Sequence, residues 1–286
     1  MLRSRFDLAL LEAAASAGAC VCTDTIAELI AERMPAEPVR RLRLCRRGAD
    51  TVVEARVVLA CDGLAGGLLR QEPGHSVAVA PGARIGLGAV SLRCRSDEPP
   101  EGTILMACGR GGYAGMVRLG GGELDLAAAV DPRFLRARGS PGQAVATILE
   151  EAGVPPVEDI EALPWSGTQA LTRRPAHLGA HRVLAVGDAA GYVEPFTGDG
   201  IAWALTGAQA VVPLALAGVE SWEPLLPARW QRMHRSMFAR RQALCRRLAW
   251  MLRSPLLTGM AVGALGRAPG LSRLVTRPLA RPIPTN

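Results

Sequence analysis

The stretch VLAVGDAAGYVEPFTGDGIAWAL, residues 183–205, constrains this chain more than any other segment. It opens on a continuously apolar run, as in a parallel strand covered on both faces. The run delivers Gly187 and Asp188 at its carboxyl end, where ligands bind in open α/β sheets. Asp188 can accept hydrogen bonds from ligand hydroxyls, and Gly187 and Gly191 permit close backbone approach. Pro195 fixes a rigid apolar ledge suited to stacking on a flat ring. Gly198, Asp199 and Gly200 then open a helix expected over 200–216, whose first amides favour a partial negative charge. Gly-Asp after a strand is by itself only a turn. The whole string, with glycines at both helix-opening positions, is far more specific.

Composition removes several chemistries. All 33 basic residues are Arg, and no Lys is present. A P-loop, a pyridoxal enzyme, a Schiff-base aldolase and a protein kinase each need a Lys amine. The net charge of +7 is unevenly spread: residues 1–227 carry 21 Arg and 26 acids, whereas 228–286 carry 12 Arg and no acid. The basic tail asks for an anionic partner, a membrane surface before nucleic acid, since no nucleic-acid-binding module accompanies the charge. Seven Cys at scattered spacings suit reduced thiols and a cytoplasmic protein. Cys20 and Cys22 are either half a metal site or small strand residues, and no second Cys/His pair stands near them. No metal is expected. The four His form no ligand spacing and read as surface or capping residues.

Along the chain, 6–17 reads as a helix with the stripe Phe6, Leu10, Ala13 and Ala17, and 19–23 as a short strand. Strands follow over 39–45 and 51–60, the second ending in an apolar run suited to a parallel sheet. From 76 to 130 the texture changes to dense glycine and short runs. This predicts an antiparallel sheet with strands near 84–95, 102–107, 114–119 and 123–130 and a turn at 120–122. Ser140 and Gln143 bracket Pro141 as the cap of a helix over 143–153. The segment GRGGYA, 109–114, matches G-x-G-x-x-A, but strand and turn residues follow it where a phosphate-binding loop must open a helix. The C-terminal third reads as helical, over 227–253 and then in shorter pieces broken at Pro255, Pro269 and Pro278.

The 183–205 string resembles the second flavin-binding motif of FAD-dependent oxidoreductases of the para-hydroxybenzoate hydroxylase and geranylgeranyl reductase type. Two further stretches resemble that family in the same order: RSRFD at 3–7 before an Ala-rich helix, and VVLACDG at 57–63. The resemblance implies that Asp188, beside Gly187, holds the ribityl chain and that Pro195 lies by the isoalloxazine. Gly198, Asp199 and Gly200 would offer amides to the ring edge that becomes negative on reduction. It places Arg3, Asp62 and Gly63 beside the FAD. Without it, Arg3 is an ordinary surface residue and Asp62 caps the following turn. Tyr113 fits the first position of the reductases' Y-x-W-x-F-P strand, but Gly115 replaces the Trp. Flavin halogenases would show W-x-W-x-I-P and a catalytic Lys, and this chain has neither.

The implied fold is α/β: a truncated FAD-binding Rossmann-like parallel sheet, an inserted antiparallel β-sheet substrate domain and a helical C-terminal region. The FAD-binding parts would be 1–74 and 166–218, the substrate domain 75–165, and the basic helical region 219–286. The family's opening G-x-G-x-x-G βαβ unit has no counterpart, so weak FAD binding is expected. The implied function is FAD-dependent oxidoreduction, as a monooxygenase or double-bond reductase, on a hydrophobic or aromatic small molecule with NAD(P)H as reductant. The alternative is a non-catalytic or split-gene fragment that associates with a partner or, through 228–253, with an anionic membrane surface. There Trp230, Met233, Met237, Leu244, Leu248 and Met251 make a stripe flanked by Arg, which would otherwise pack on the flavin domain. Glu194, beside Pro195, is either an acid/base near the flavin or a solvated loop carboxylate.

Overall fold

A computed structural model describes residues 3–31, 37–92, 99–194, 196 and 198–267. In chain order these hold α1 (Arg3–Ser16), β1 (Thr25–Leu29), β2 (Arg40–Arg46), β3 (Ala49–Ala55), β4 (Val58–Ala60), α2 (Gly67–Arg70), β5 (Val77–Val79) and β6 (Ile85–Ser91). There follow β7 (Ile104–Gly109), β8 (Gly112–Arg118), β9 (Leu124–Val130), α3 (Pro132–Arg138), α4 (Pro141–Glu151) and β10 (Ser166–Ala170). The chain continues through β11 (Arg173–Pro175), β12 (Gly179–Ala180), β13 (Val183–Ala185), α5 (Gly200–Glu220), α6 (Leu226–Met251) and α7 (Pro255–Arg267). The α/β class implied by the sequence holds. Pro195, the end of the expected 84–95 strand and the expected helices past Pro269 lie outside the described residues.

The strand expected over 51–60 is two strands. β3 closes an antiparallel sheet in the order β1–β2–β3, and β4 leaves it to lie parallel to β13. Arg182 marks the handover: its guanidinium donates to the Arg56 carbonyl at 2.8 Å, and its own carbonyl accepts from the Val58 amide at 2.8 Å. β13 is the apolar run of the 183–205 string. It is buried throughout, between β12 and β4, as a two-sided core strand requires. Among the described residues, no strand pairs with the outer edge of β4. The strand expected at 19–23 forms instead at Thr25–Leu29, leaving Cys20 and Cys22 exposed on an irregular approach.

The antiparallel sheet stands where the glycine-rich texture put it, in the order β10–β6–β9–β8–β7. Strand β10 adds an edge beyond residue 165. The decoy GRGGYA is the tight β7–β8 hairpin, with Gly109 opposite Gly112. Helix α4 starts one turn's cap earlier than its apolar pattern. Ser140 is the N-cap and its hydroxyl accepts from the Gln143 amide at 3.2 Å. Its Ala144, Val145, Ile148 and Leu149 bury against this sheet.

Helix α1 forms as expected, but it buries none of its residues and the predicted stripe is not a packed one. Helix α6 does pack. Its buried residues are Leu226, Trp230, His234, Phe238, Cys245 and Ala249, a stripe rotated from the one read in the sequence. Trp230 lies fully buried under β13, and its indole N–H donates to the Ala185 carbonyl at 2.7 Å.

Candidate functional site

The end of β13 decides the site. Past Ala185 the backbone turns at Gly187, with φ +63°, into a 3₁₀ turn over Gly187–Ala190. A side chain there would be strained by the positive φ and not by crowding, the nearest atom to an added Cβ being Ala204 Cβ at an ordinary 3.5 Å. Gly198, with φ +75°, has only open space around such a Cβ. Its positive φ re-aims the chain into α5. That helix starts with no side-chain cap, so its first amides keep their donors for something else.

These turns enclose a cleft of about 430 Å³, in the range of small-molecule sites. Arg3, Gly63, Gly187, Asp188, Gly198 and Gly200 line it together with Cys61, Tyr192, Ile201 and Ala204. Six of the nine residues singled out in the sequence therefore meet at one surface, although they come from three distant stretches. Asp199 is the N-cap residue of α5, next to the lining. Asp62 lies beside the cleft with its carboxylate turned to local work: it accepts from the Leu68 amide at 2.7 Å and so fixes the start of α2. The carboxylate does not cap the Gly63–Ala65 turn that directly follows it, as the alternative reading had it, but the next helix. Pro195 is outside the described residues.

The Asp188 carboxylate has no hydrogen-bond partner among the described residues. Burial raises its carboxyl above the ordinary carboxylate range, and Arg3 works against that shift. A half-buried acceptor left free at the end of a parallel strand is a group waiting for a donor. Arg3 itself holds Asp7 at 2.7 Å on the surface and stands at the cleft's rim.

Glu194 is not the solvated loop carboxylate that one of its two readings expected. It is 1% exposed and accepts from Arg84, itself 4% exposed, at 2.8 Å. Arg84 also lies 5.5 Å from the Tyr113 ring centroid and donates to the Leu252 carbonyl at 3.4 Å. The Tyr113 hydroxyl bonds Glu194, and burial first, then the nearby carboxylate, push its pKa far up. Tyr113 meets Phe196 edge-on at 5.1 Å. The antiparallel sheet is thereby fastened to the loop that carries the 183–205 motif. Sequence reasoning noticed Tyr113 and Glu194 separately. Arg84 carried no local signal, because its partner is 110 residues away. His234, expected at the surface, is buried on α6 and lines a second cavity.

No protein-family model matches the chain, and no curated protein matches it in sequence. Solved structures do share its fold. The flavin-dependent brominase Bmp2 superposes with a TM-score of 0.72 at 14% identity, covering 92% of this chain and 69% of its own. The myxobacterial chondrochloren halogenase CndH, described as a variant of FAD-dependent halogenases, gives 0.67 at 17% identity, covering 96% of this chain and 66% of its own. OxyS, an anhydrotetracycline hydroxylase from Streptomyces rimosus, gives 0.66 at 19% identity, covering 96% and 55% respectively. At these identities the likeness establishes the fold, that of flavin-dependent halogenases and hydroxylases. The chain spans between about half and just over two thirds of the length of these three proteins.

Proposed function

We propose that this chain binds FAD in the cleft at the start of α5 and belongs to an oxidoreductase. It would act as a monooxygenase or double-bond reductase on a hydrophobic or aromatic small molecule, with NAD(P)H as reductant. The observation that carries this reading is the meeting of Arg3, Gly63, Gly187, Asp188, Gly198 and Gly200 in one cleft beside an uncapped helix N-terminus. The donor set fits the cofactor. Asp188 offers a free acceptor for ribityl hydroxyls, the α5 amides offer donors to an electron-rich ring edge, and Arg3 offers charge at the rim. When bound, FAD supplies the two-electron chemistry, and the protein's part is to bind, orient and polarise it.

Quenching of FAD fluorescence on titration tests the assignment. Asp188→Ala is expected to weaken binding roughly tenfold, the loss of a charge-assisted hydrogen bond. Equal affinity in the variant would remove Asp188 and the cleft from the reading. Oxygen consumed in step with NAD(P)H then marks a hydroxylase, and anaerobic turnover a reductase. A second reading, a non-catalytic fragment associated with a partner, draws on the unpaired outer edge of β4 and the exposed apolar residues Val212 and Leu216 of α5. It predicts no FAD binding at any concentration in the same titration.

A further inference from the structure

Behind the Gly187–Ala190 turn, on the far side from the cleft, lies a larger chamber of about 560 Å³. Its floor is one face of α6, where Gln231, Arg235, Ala239, Gln242 and Arg246 follow at helical spacing. Its opposite wall is the β5–β11 ribbon, with Val79, Pro81 and Pro175 apolar and Arg174 charged. We propose that this chamber is a second binding site, for a small organic anion with an apolar body.

Three observations carry the proposal. Arg173, Arg174, Arg235 and Arg246 line the chamber and no Asp or Glu does. Arg173 is committed to the Leu64 carbonyl and Gln169, but Arg174, Arg235 and Arg246 have no carboxylate partner among the described residues. Guanidinium groups without partners around an apolar pocket suit a carboxylate, sulfonate or phosphate.

The second observation is His234. It is 9% exposed, lines the chamber and has no hydrogen-bond partner among the described residues. Burial drives its pKa down to about 4, so the ring is neutral and presents one donor and one acceptor. Facing the cavity, that donor and acceptor are available to a ligand's polar atom.

The third is connectivity. A narrow space lined by Gly191, Tyr192, His234 and Gln242 borders the chamber, and Gly187, Asp188 and Ala204 carry it on to the cofactor cleft. Trp203 reaches the same space with a buried, unpartnered indole N–H. The turn that holds Asp188 is thus shared by both cavities, and an anion in the chamber would press on it. The inference does not require FAD to occupy the cleft.

Two naphthalene probes of similar body test it: anionic 8-anilinonaphthalene-1-sulfonate and neutral N-phenyl-1-naphthylamine. Exposed apolar surface elsewhere binds both, so the charge-dependent difference is the readout. Arg235→Gln with Arg246→Gln is expected to weaken the sulfonate roughly tenfold or more and leave the neutral probe unchanged. Ala239→Trp, which fills the chamber, is expected to lower binding of both. Circular dichroism confirms that the variants fold. Unchanged sulfonate affinity in the double arginine variant overturns the proposal. Co-sedimentation with phosphatidylglycerol vesicles, lost in that variant while sulfonate affinity holds, would also overturn it and assign these arginines to a membrane surface.

Discussion

His234 shows what a single residue can hide. It sits between Trp230 and Phe238 on α6, with ring centroids 5.6 and 4.7 Å away. The spacing of four residues on each side was present in the sequence. The stripe read there instead ran through Met233 and Met237, one residue out of phase, because a His among apolar residues counts as polar. Its burial has a pH consequence. The folded pKa, about 4, lies below the unfolded value of about 6.5. The unfolded chain therefore binds the proton first as pH falls. Stability from a neutral His234 is complete above pH ~6.5 and is lost as pH falls towards 4. The loss reaches about 3 kcal/mol in this window. His234→Phe is expected to flatten this part of the profile in urea denaturation at pH 7, 6, 5 and 4. A variant whose stability falls as steeply as wild type would show that other groups set the acid limb. The glycines at 187 and 198 were the opposite case. Their backbone is left-handed, a conformation that glycine adopts without strain, and both stood out in the sequence as glycines at a strand end and a helix start.

Elements were legible wherever their signals were local. The Ser140 cap of α4, the turn at 120–122 between β8 and β9, and the rejection of GRGGYA as a phosphate-binding loop all followed from residues a few positions apart. What failed was partner choice. Nothing within 51–60 says that the chain changes sheets at Arg56, because the cause is Arg182 on another segment. Arg84 and Glu194 make the same point with greater energetic weight. The pair joins the start of β6 to the loop after β13, with Leu252 at the end of α6 as a third anchor. Removing one member of a buried ion pair leaves an uncompensated charge, which costs about 3–5 kcal/mol. Glu194→Ala is expected to lose that much in chemical denaturation. The double change Arg84→Met with Glu194→Leu, which leaves no orphan charge, is expected to lose clearly less. If the double variant is worse than the single one, the pair is a net source of stability in its own right.

The whole molecule rests on two cores and a joint. One core gathers β13, β4, α2 and Trp230 under the cleft at the start of α5. The other packs α4 on the antiparallel sheet. Between them a small cluster of Tyr113, Ala129, Leu171 and Leu252, with Tyr192 and Phe196 packed against it, carries the contact. The change in texture at 76 marked where the antiparallel sheet lies. The joint stayed invisible, since its members are scattered from Leu64 to Leu252 and each looks like ordinary core. Its placement matters because Tyr192 and Phe196 flank Glu194 in the motif loop, so the joint sets where that loop sits. Tyr113→Ala removes the ring against Phe196 and the hydroxyl on Glu194, but it touches neither main core. Hydrogen exchange read by mass spectrometry should then show faster exchange over 187–194 and in β8. Amides of Ile148 and Leu149, in the sheet's own core, should keep their protection. Equal loss in α4 would mean that the two cores open as one unit and that the joint is no separate hinge of stability. Retained protection there, with a loosened motif loop, makes the antiparallel sheet the structure that holds the outer wall of the α5 cleft in place.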